Sequence, residues 1–107
     1  MDKVNLTRET LAALAALAPK LASLSEEILF GDIWQRPALS PRDRSLITLS
    51  ALVAMYRPEQ LAWHLTFARE NGVTESEITE LFTHLSFYAG WPAAVSALNV
   101  FSQLDTE

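Results

Sequence analysis

The segment from His64 to Pro92 constrains the fold more than any other part of the sequence, because it marks two helix ends and two helix starts in a short stretch. Gly72 can adopt the left-handed conformation that ends a helix at no steric cost. Thr74–Glu77 follows at once with the capping-box pattern that begins the next helix. Gly90 offers a second stop, and Pro92 fits the first turn of a third helix. The segment therefore predicts helices joined by tight turns.

Similar signals divide the rest of the chain, where a hydroxyl, a proline or a glycine marks each boundary. No alternation of apolar and polar residues persists, so we expect an all-α domain of about six helices. A length of 107 residues fits one domain. The predicted helices run from Thr7 to about Ala18, Pro19 to about Phe30 before Gly31, Pro41 to about Met55, Pro58 to Asn71, Glu75 to about Ala89, and Pro92 to about Leu104.

The spacing of apolar residues predicts which helix faces are buried. The third helix is apolar on two faces, so we expect it at the centre of the domain. Trp34 lies in the connector before that helix, where we expect it to plug the core. The residues predicted to face inward are Leu11, Leu14, Ala15 and Ala18; Leu46, Leu49 and Val53, with Ile47 and Ala54 on the second face; Leu61, Leu65 and Ala68; Ile78, Leu81, Phe82 and Leu85; and Val95, Leu98 and Phe101.

Half of the residues are apolar and the mean hydropathy is +0.13, which is high for a small helical chain. This surplus predicts a buried interface between subunits. A net charge of −5 argues against a nucleic-acid partner. No apolar run is long enough to span a membrane, and the polar, acidic N-terminus lacks the features of a secretory signal, so we expect a cytoplasmic protein.

The absence of cysteine excludes disulfides, thiolate chemistry and cysteine-bound zinc. The two histidines are far apart in sequence, and no metal-binding spacing joins either to a carboxylate. We therefore expect no metal and no cofactor. No glycine-rich phosphate loop or nucleophile elbow is present either.

His64 shares a helical face with Leu61 and Leu65, so we expect it to point inward, with Gln60 as a possible hydrogen-bond partner. It is either a structural histidine or a proton-transfer group whose pKa is lowered by burial. His84 lies four residues from both Glu80 and Tyr88. These three are either a surface pair with a neighbour or an acid–base group at a cleft.

Arg42 and Arg44 open the third helix, at the end where the helix dipole disfavours positive charge. Arg44 is the better candidate for binding a carboxylate, because its helix is apolar on two sides and arginine keeps its charge when buried. The alternative is that both arginines are solvated.

Several ordered motifs together resemble the carboxymuconolactone decarboxylase family within the AhpD-like group. The resemblance covers Gly31 to about Leu104, which we take as the family core, with residues 1–30 as an N-terminal helical part. It implies an all-α fold whose subunits assemble into rings, usually hexamers. The motifs are GDIWQRP, LSPRDRSLITLSAL, QLAWHL followed by ENGVTESEITEL, and HLSFYAGWPAA.

The family has a thiol branch that reduces hydroperoxides, and its two cysteines fall at Arg57 and Gln60, which excludes that chemistry here. The decarboxylase branch lacks the cysteines, and it implies cofactor-free loss of CO2 from a carboxylated lactone or related small acid of aromatic catabolism. The alternative is a non-catalytic or ligand-binding member of the AhpD-like group, without peroxidase activity.

The resemblance also implies roles for individual residues in that reaction. Arg44 would hold an anionic group of the substrate, and His64 would donate a proton at carbon or polarise the carbonyl. Glu80 and His84 would set a second protonation state. Trp34 and Tyr88 would line the substrate site.

Overall fold

The computed structural model describes residues 12–104, and every regular element in that range is helical, which confirms the all-α prediction. The helix α1 is described over residues 12–17. The remaining elements are α2 (Pro19–Leu24), a π-helical turn (Ser25–Phe30), a 3-10 turn (Ile33–Gln35), α3 (Pro41–Ala54), α4 (Pro58–Glu70), α5 (Glu75–Leu85) and α6 (Trp91–Ser102).

Side-chain caps fix the starts of α3 and α5, as the sequence predicts. Ser40 Oγ accepts a hydrogen bond from the Asp43 backbone N–H at 3.0 Å. In the capping box, Thr74 Oγ1 accepts a hydrogen bond from the Glu77 backbone N–H, and Glu77 Oε1 accepts one from the Thr74 backbone N–H. The pKa of Glu77 is below its usual value, mainly because its carboxylate accepts the hydrogen bond from the Thr74 N–H. The Arg42 guanidinium, which pairs with the same carboxylate, lowers this pKa further. The Arg42–Glu77 pair therefore joins the first turns of α3 and α5.

Two glycines end helices for different reasons. Gly72 has a φ of +94°, the left-handed conformation expected of a helix stop. Gly31 has a right-handed backbone, with a φ of −82°. A Cβ atom at Gly31 would lie 2.7 Å from the Glu27 carbonyl oxygen, so the close approach of the preceding turn requires glycine there.

The core lies between α3, α4, α5 and α6, and the expected inward faces of α4 and α5 are confirmed. On α6 the buried residues are Ala94, Ala97 and Phe101, and Leu98 is partly buried against the core, so the inward positions predicted for Leu98 and Phe101 are confirmed. Val95 is not part of the core cluster, and the two alanines take the most buried positions instead. The small alanine side chains let α6 pack closely against its neighbours. The buried core consists of Leu49, Val53, Leu61, Leu65, Ala68, Val73, Ile78, Phe82, Ala97 and Phe101.

The second apolar face of α3 is not buried within one chain, which corrects the prediction for Ile47 and Ala54. Ser45 is buried instead, at 1% exposure. Its hydroxyl accepts a hydrogen bond from Asn71 Nδ2 at 3.0 Å, so the polar group has a partner in the interior. The apolar side chain of Ile47 is left facing outward.

α5 ends at Leu85, earlier than predicted, and turns occupy residues 86–89. The predicted start of the first helix at Thr7 and the inward position of Leu11 lie outside the described residues. In α2 and the π-helical turn no residue is fully buried. Within residues 12–104, no helix has the length and apolar character needed to cross a membrane.

Candidate functional site

Five rings form an aromatic cluster on the outer side of α4. This aromatic cluster consists of Phe30, Trp34, Trp63, His64 and Phe67. Trp34 is the most buried of them, at 7% exposure, and its ring centroid lies 5.1 Å from that of Phe67. Phe30 stacks on Trp34 at 6.0 Å and meets Trp63 edge-on at 5.7 Å. These distances are typical of favourable aromatic pairs.

Two separate parts of the chain supply the cluster. α4 carries Trp63, His64 and Phe67, and the four-residue spacing of Trp63 and Phe67 places them on one flank of the helix. The other two rings come from the π-helical turn and the 3-10 turn, which the tight backbone at Gly31 brings together. Trp34 is buried, as expected, but it lies outside the main core cluster and covers the outer side of α4 instead of plugging the core.

His64 is half-buried between the two tryptophans. Its ring lies nearly parallel to Trp34, at 6.2 Å and 20°, and meets Trp63 edge-on at 4.8 Å. Its Nδ1 atom is buried and has no hydrogen-bond partner among residues 12–104. The hydrogen bond expected from Gln60 is not formed, and Gln60 is exposed.

Burial lowers the pKa of His64 to about 4. At neutral pH the imidazole is therefore uncharged in the free protein. In this form it can donate or accept a hydrogen bond and can take up a proton. It cannot supply a proton as an imidazolium unless a bound anion raises its pKa again.

Arg44 holds the connector that carries Trp34. Its Nη2 donates a hydrogen bond to the Arg36 carbonyl oxygen at 3.1 Å. Its Nε is buried and has no partner in the described part of the chain. Arg42, two residues earlier, instead forms the ion pair with Glu77. Arg44 is thus the arginine of α3 that retains an unused buried donor, and a carboxylate ligand would satisfy it.

The other predicted site residues form a second group at the end of α5. His84 and Tyr88 stack at 5.1 Å, with ring planes 28° apart, and Tyr88 lies in the turn after the helix. Glu80 is exposed, and within residues 12–104 it makes no ion pair with His84. No hydrogen bond or ring contact among residues 12–104 joins this second group to the aromatic cluster. One chain therefore does not bring all six predicted site residues together.

Within the described residues, no three histidine or carboxylate side chains converge as metal ligands would. A cavity of about 10 Å³ lies between the end of α3 and α6, away from the aromatic cluster. That volume holds about one water molecule, so this cavity is not a substrate site.

Sequence reasoning missed three of the five cluster residues, namely Phe30, Trp63 and Phe67. Trp63 and Phe67 carried a usable signal, because they flank the candidate His64 on its own helix at the spacing of side-chain pairs. Phe30 carried none, since its contact with α4 depends on the path of the connector.

Comparisons with known proteins place the chain in a family. The model of the carboxymuconolactone decarboxylase family matches residues 19–103. That match includes α2 and the π-helical turn, which the resemblance over Gly31 to Leu104 does not cover.

Two curated relatives are decarboxylases. The chain is 40% identical over 75 residues to 4-carboxymuconolactone decarboxylase of Acinetobacter baylyi, covering 70% of this chain and 56% of that protein. It is 39% identical over 77 residues to nitrosuccinic acid decarboxylase of Metarhizium robertsii, covering 72% and 54%. The chain thus spans little more than half the length of these two relatives.

A third relative is an uncharacterized 15.0 kDa protein of Paracoccus denitrificans. It is 30% identical over 98 residues, covering 89% of this chain and 72% of that protein. From the family match, the two decarboxylase relatives and the all-helical fold, we conclude that the chain belongs to the carboxymuconolactone decarboxylase family.

Proposed function

We propose that the protein is a cofactor-independent decarboxylase of a small carboxylic acid that carries its own electron sink. Two relatives are named for such acids: one is a carboxylated lactone and the other is a nitro-substituted acid. The observation that carries the proposal is that two candidate site residues each hold a buried polar atom without a partner among residues 12–104. These atoms are Arg44 Nε, whose guanidinium also holds the connector next to Trp34, and His64 Nδ1, within the aromatic cluster.

Arg44 binds a carboxylate of the substrate through its free Nε donor. Its Nη2 stays on the Arg36 carbonyl, so the guanidinium is fixed before substrate arrives. The aromatic cluster excludes water from one side of the bound acid. This favours loss of a charged carboxylate as neutral CO2, because a carboxylate is poorly stabilised next to apolar rings.

In the reaction, the bond between the substrate carbon and its leaving carboxylate breaks, and CO2 departs. The electron pair moves into the lactone carbonyl system or the nitro group of the substrate. A proton then bonds to that carbon or to the conjugated position, so that one proton replaces the carbon dioxide that has left. The sink belongs to the substrate, so the step requires no added electron acceptor.

His64 supplies that proton in the bound state. In the free protein its pKa is about 4, and the imidazole is neutral. An anionic substrate beside it favours the imidazolium and raises that pKa, so the ring takes a proton from water and passes it to carbon. Its parallel stack on Trp34 and its edge contact with Trp63 fix the plane in which this transfer occurs.

Glu80, His84 and Tyr88 act as the second proton-transfer and substrate-contact group of the same reaction. Their exposure in one chain supports a role that depends on assembly. A homo-oligomer, and a hexamer in particular, is part of the proposal. A small anionic substrate and a place in aromatic catabolism stay predictions from the family resemblance. The cytoplasmic location stays a prediction from the composition and the N-terminal sequence.

The test is turnover of 4-carboxymuconolactone and of nitrosuccinic acid, followed by CO2 release. We expect the wild type to decarboxylate at least one. His64→Gln keeps polarity and similar volume but cannot relay a proton, so it should lose about 10²-fold or more in kcat. Its melting temperature at pH 7.5 should change little. His84→Gln serves as the matched histidine variant and should lose less, about tenfold.

Full activity of His64→Gln on an acid that the wild type consumes would contradict the role of His64 and favour His84 with Glu80. Binding of either acid by the wild type without CO2 release would contradict the decarboxylase. That outcome would support the ligand-binding alternative.

A further inference from the structure

We propose that the active site is completed by a second copy of this chain, whose α5–α6 connection covers the aromatic cluster of the first. The inference rests on the proposed function for the identity of the site. Its basis is that the predicted site residues form two groups on one chain, and each group borders exposed apolar surface.

The first surface is the rim of the aromatic cluster. Ile33 precedes Trp34 in the 3-10 turn, and Ile47 lies one turn after Arg44 on α3, and both are exposed. A substrate held by Arg44 therefore has the aromatic cluster on one side and exposed aliphatic side chains on the other. Ligand sites normally bury most of the ligand surface. The missing wall is thus an apolar one.

The second surface is the α5–α6 connection. Phe87 is 86% exposed, Tyr88 79% and Trp91 69%. Three large aromatic side chains exposed within five positions are unusual on a monomeric surface. Aromatic residues of this kind are enriched at the centres of protein interfaces.

The areas of the two surfaces fit one interface. An aromatic side chain buries about 150–250 Å². Covering three such side chains would bury roughly 450–750 Å², which is more than half of the ~800 Å² that a standard interface buries per partner. The aliphatic rim of the cluster supplies a complementary apolar face for them.

Charge favours the same pairing. Arg36 is exposed beside the cluster, and Glu80 is exposed one turn before His84; neither makes an ion pair within residues 12–104. Placing the α5–α6 connection of one copy on the cluster of the next brings these opposite charges to one rim. It also brings His84 and Tyr88 to the substrate side of His64.

The contact joins two different surfaces of the same chain, so it is heterologous and repeats around a ring. Every site then takes His64 from one subunit and His84 from the next. This arrangement makes a quantitative prediction for mixed rings.

The first experiment uses rings assembled at random from equal amounts of His64→Gln and His84→Gln chains, co-expressed and purified through both affinity tags. One interface in four combines an intact His64 with an intact His84, so activity should recover to about a quarter of the wild-type value. If each site lay within one chain, the mixture would show only the average of the two variants measured alone.

A matched control mixes wild-type chains with the His64→Gln/His84→Gln double variant. Shared sites predict about a quarter of wild-type activity, whereas sites within one chain predict about half. A value near half, or full activity of His84→Gln alone, would overturn the inference.

A second measurement does not depend on activity and so separates this inference from the proposed function. The chain has no cysteine, so Arg36→Cys and Glu80→Cys each introduce a single thiol. Equal mixing and treatment with a short bismaleimide should link the two variants into a species of twice the 11.9 kDa chain mass. Links only between two Glu80→Cys chains would show pairing of like surfaces, and the absence of any link would show an uncovered cluster; either result contradicts the proposal.

Discussion

Each of the two histidines of this chain stacks on an aromatic side chain, and the two places differ in what surrounds the stack. His64 lies against Trp34 inside the aromatic cluster, with a buried nitrogen and a pKa lowered to about 4. His84 lies against Tyr88 at an exposed turn. The same pair of residue types therefore gives a perturbed proton-transfer group in one region and a solvated surface in the other. Burial by neighbouring rings decides the difference, and the three predictions below test it.

The largest expected effect comes from the tryptophans of the two regions. Trp34→Ala removes the most buried ring of the aromatic cluster and should cost about 3–5 kcal/mol of unfolding free energy. Trp91→Ala, at a position 69% exposed, should change the stability of dilute protein by no more than about 0.5 kcal/mol. Urea unfolding of both variants measures this. Equal losses would mean that Trp91 is as well packed as Trp34.

The next effect is the pH dependence of stability that His64 causes. The unfolded chain binds a proton on this residue near pH 6.5 and the folded chain only near pH 4. Its stabilising contribution is therefore complete above pH 6.5 and is lost as the pH falls from 6.5 to 4. Allowing for partial exposure, the loss is roughly 2–3 kcal/mol.

Unfolding free energies of wild type, His64→Gln and His84→Gln between pH 4 and 7.5 isolate this loss. His64→Gln should flatten the pH profile relative to the wild type, and His84→Gln serves as the control for removing a histidine at an exposed position. Since the carboxylates titrate alike in all three proteins, they cancel in the comparison. A wild-type profile parallel to that of His64→Gln would show that His64 titrates normally.

The smallest expected effect contrasts the two arginines of α3. Arg44→Lys keeps a positive charge but cannot both hold the Arg36 carbonyl and present a buried Nε, so KM should rise about five- to thirtyfold. Arg42→Lys affects only the partly exposed pair with Glu77 and should cost no more than about 1 kcal/mol of stability, with KM unchanged. Steady-state kinetics and thermal unfolding separate the two results. A KM increase for Arg42→Lys would place the anion site at the other arginine.

The sequence is sufficient for features that depend on neighbours along the chain. The caps at Ser40 and Thr74 and the stop at Gly72 are set by a few adjacent residues, and they are confirmed. On α6 the burial of Ala94 and Ala97 was not predicted, because several apolar positions satisfy the helical period and only the packing partners choose among them.

Features that depend on residues distant in the chain could not be predicted as well from the sequence. Phe30 reaches Trp63 because the connector folds back across α4. The expected hydrogen bond between Gln60 and His64 is not formed, because aromatic rings surround the imidazole. The candidate residues themselves were identifiable, whereas their division into a buried and an exposed group required the fold.

The way Phe30 and Trp34 are attached has a consequence for motion. They belong to the segment before α3, in which α2 and the π-helical turn contain no buried residue, and they lie outside the main core cluster. The two side chains can therefore dissociate from α4 without disrupting the packing of α3 to α6. Amide hydrogens of residues 28–36 should exchange through local opening at a lower free energy than those of α4 and α5. Access to His64 is then governed by a docking equilibrium, and a ligand that binds between Arg44 and His64 should slow exchange in this segment first.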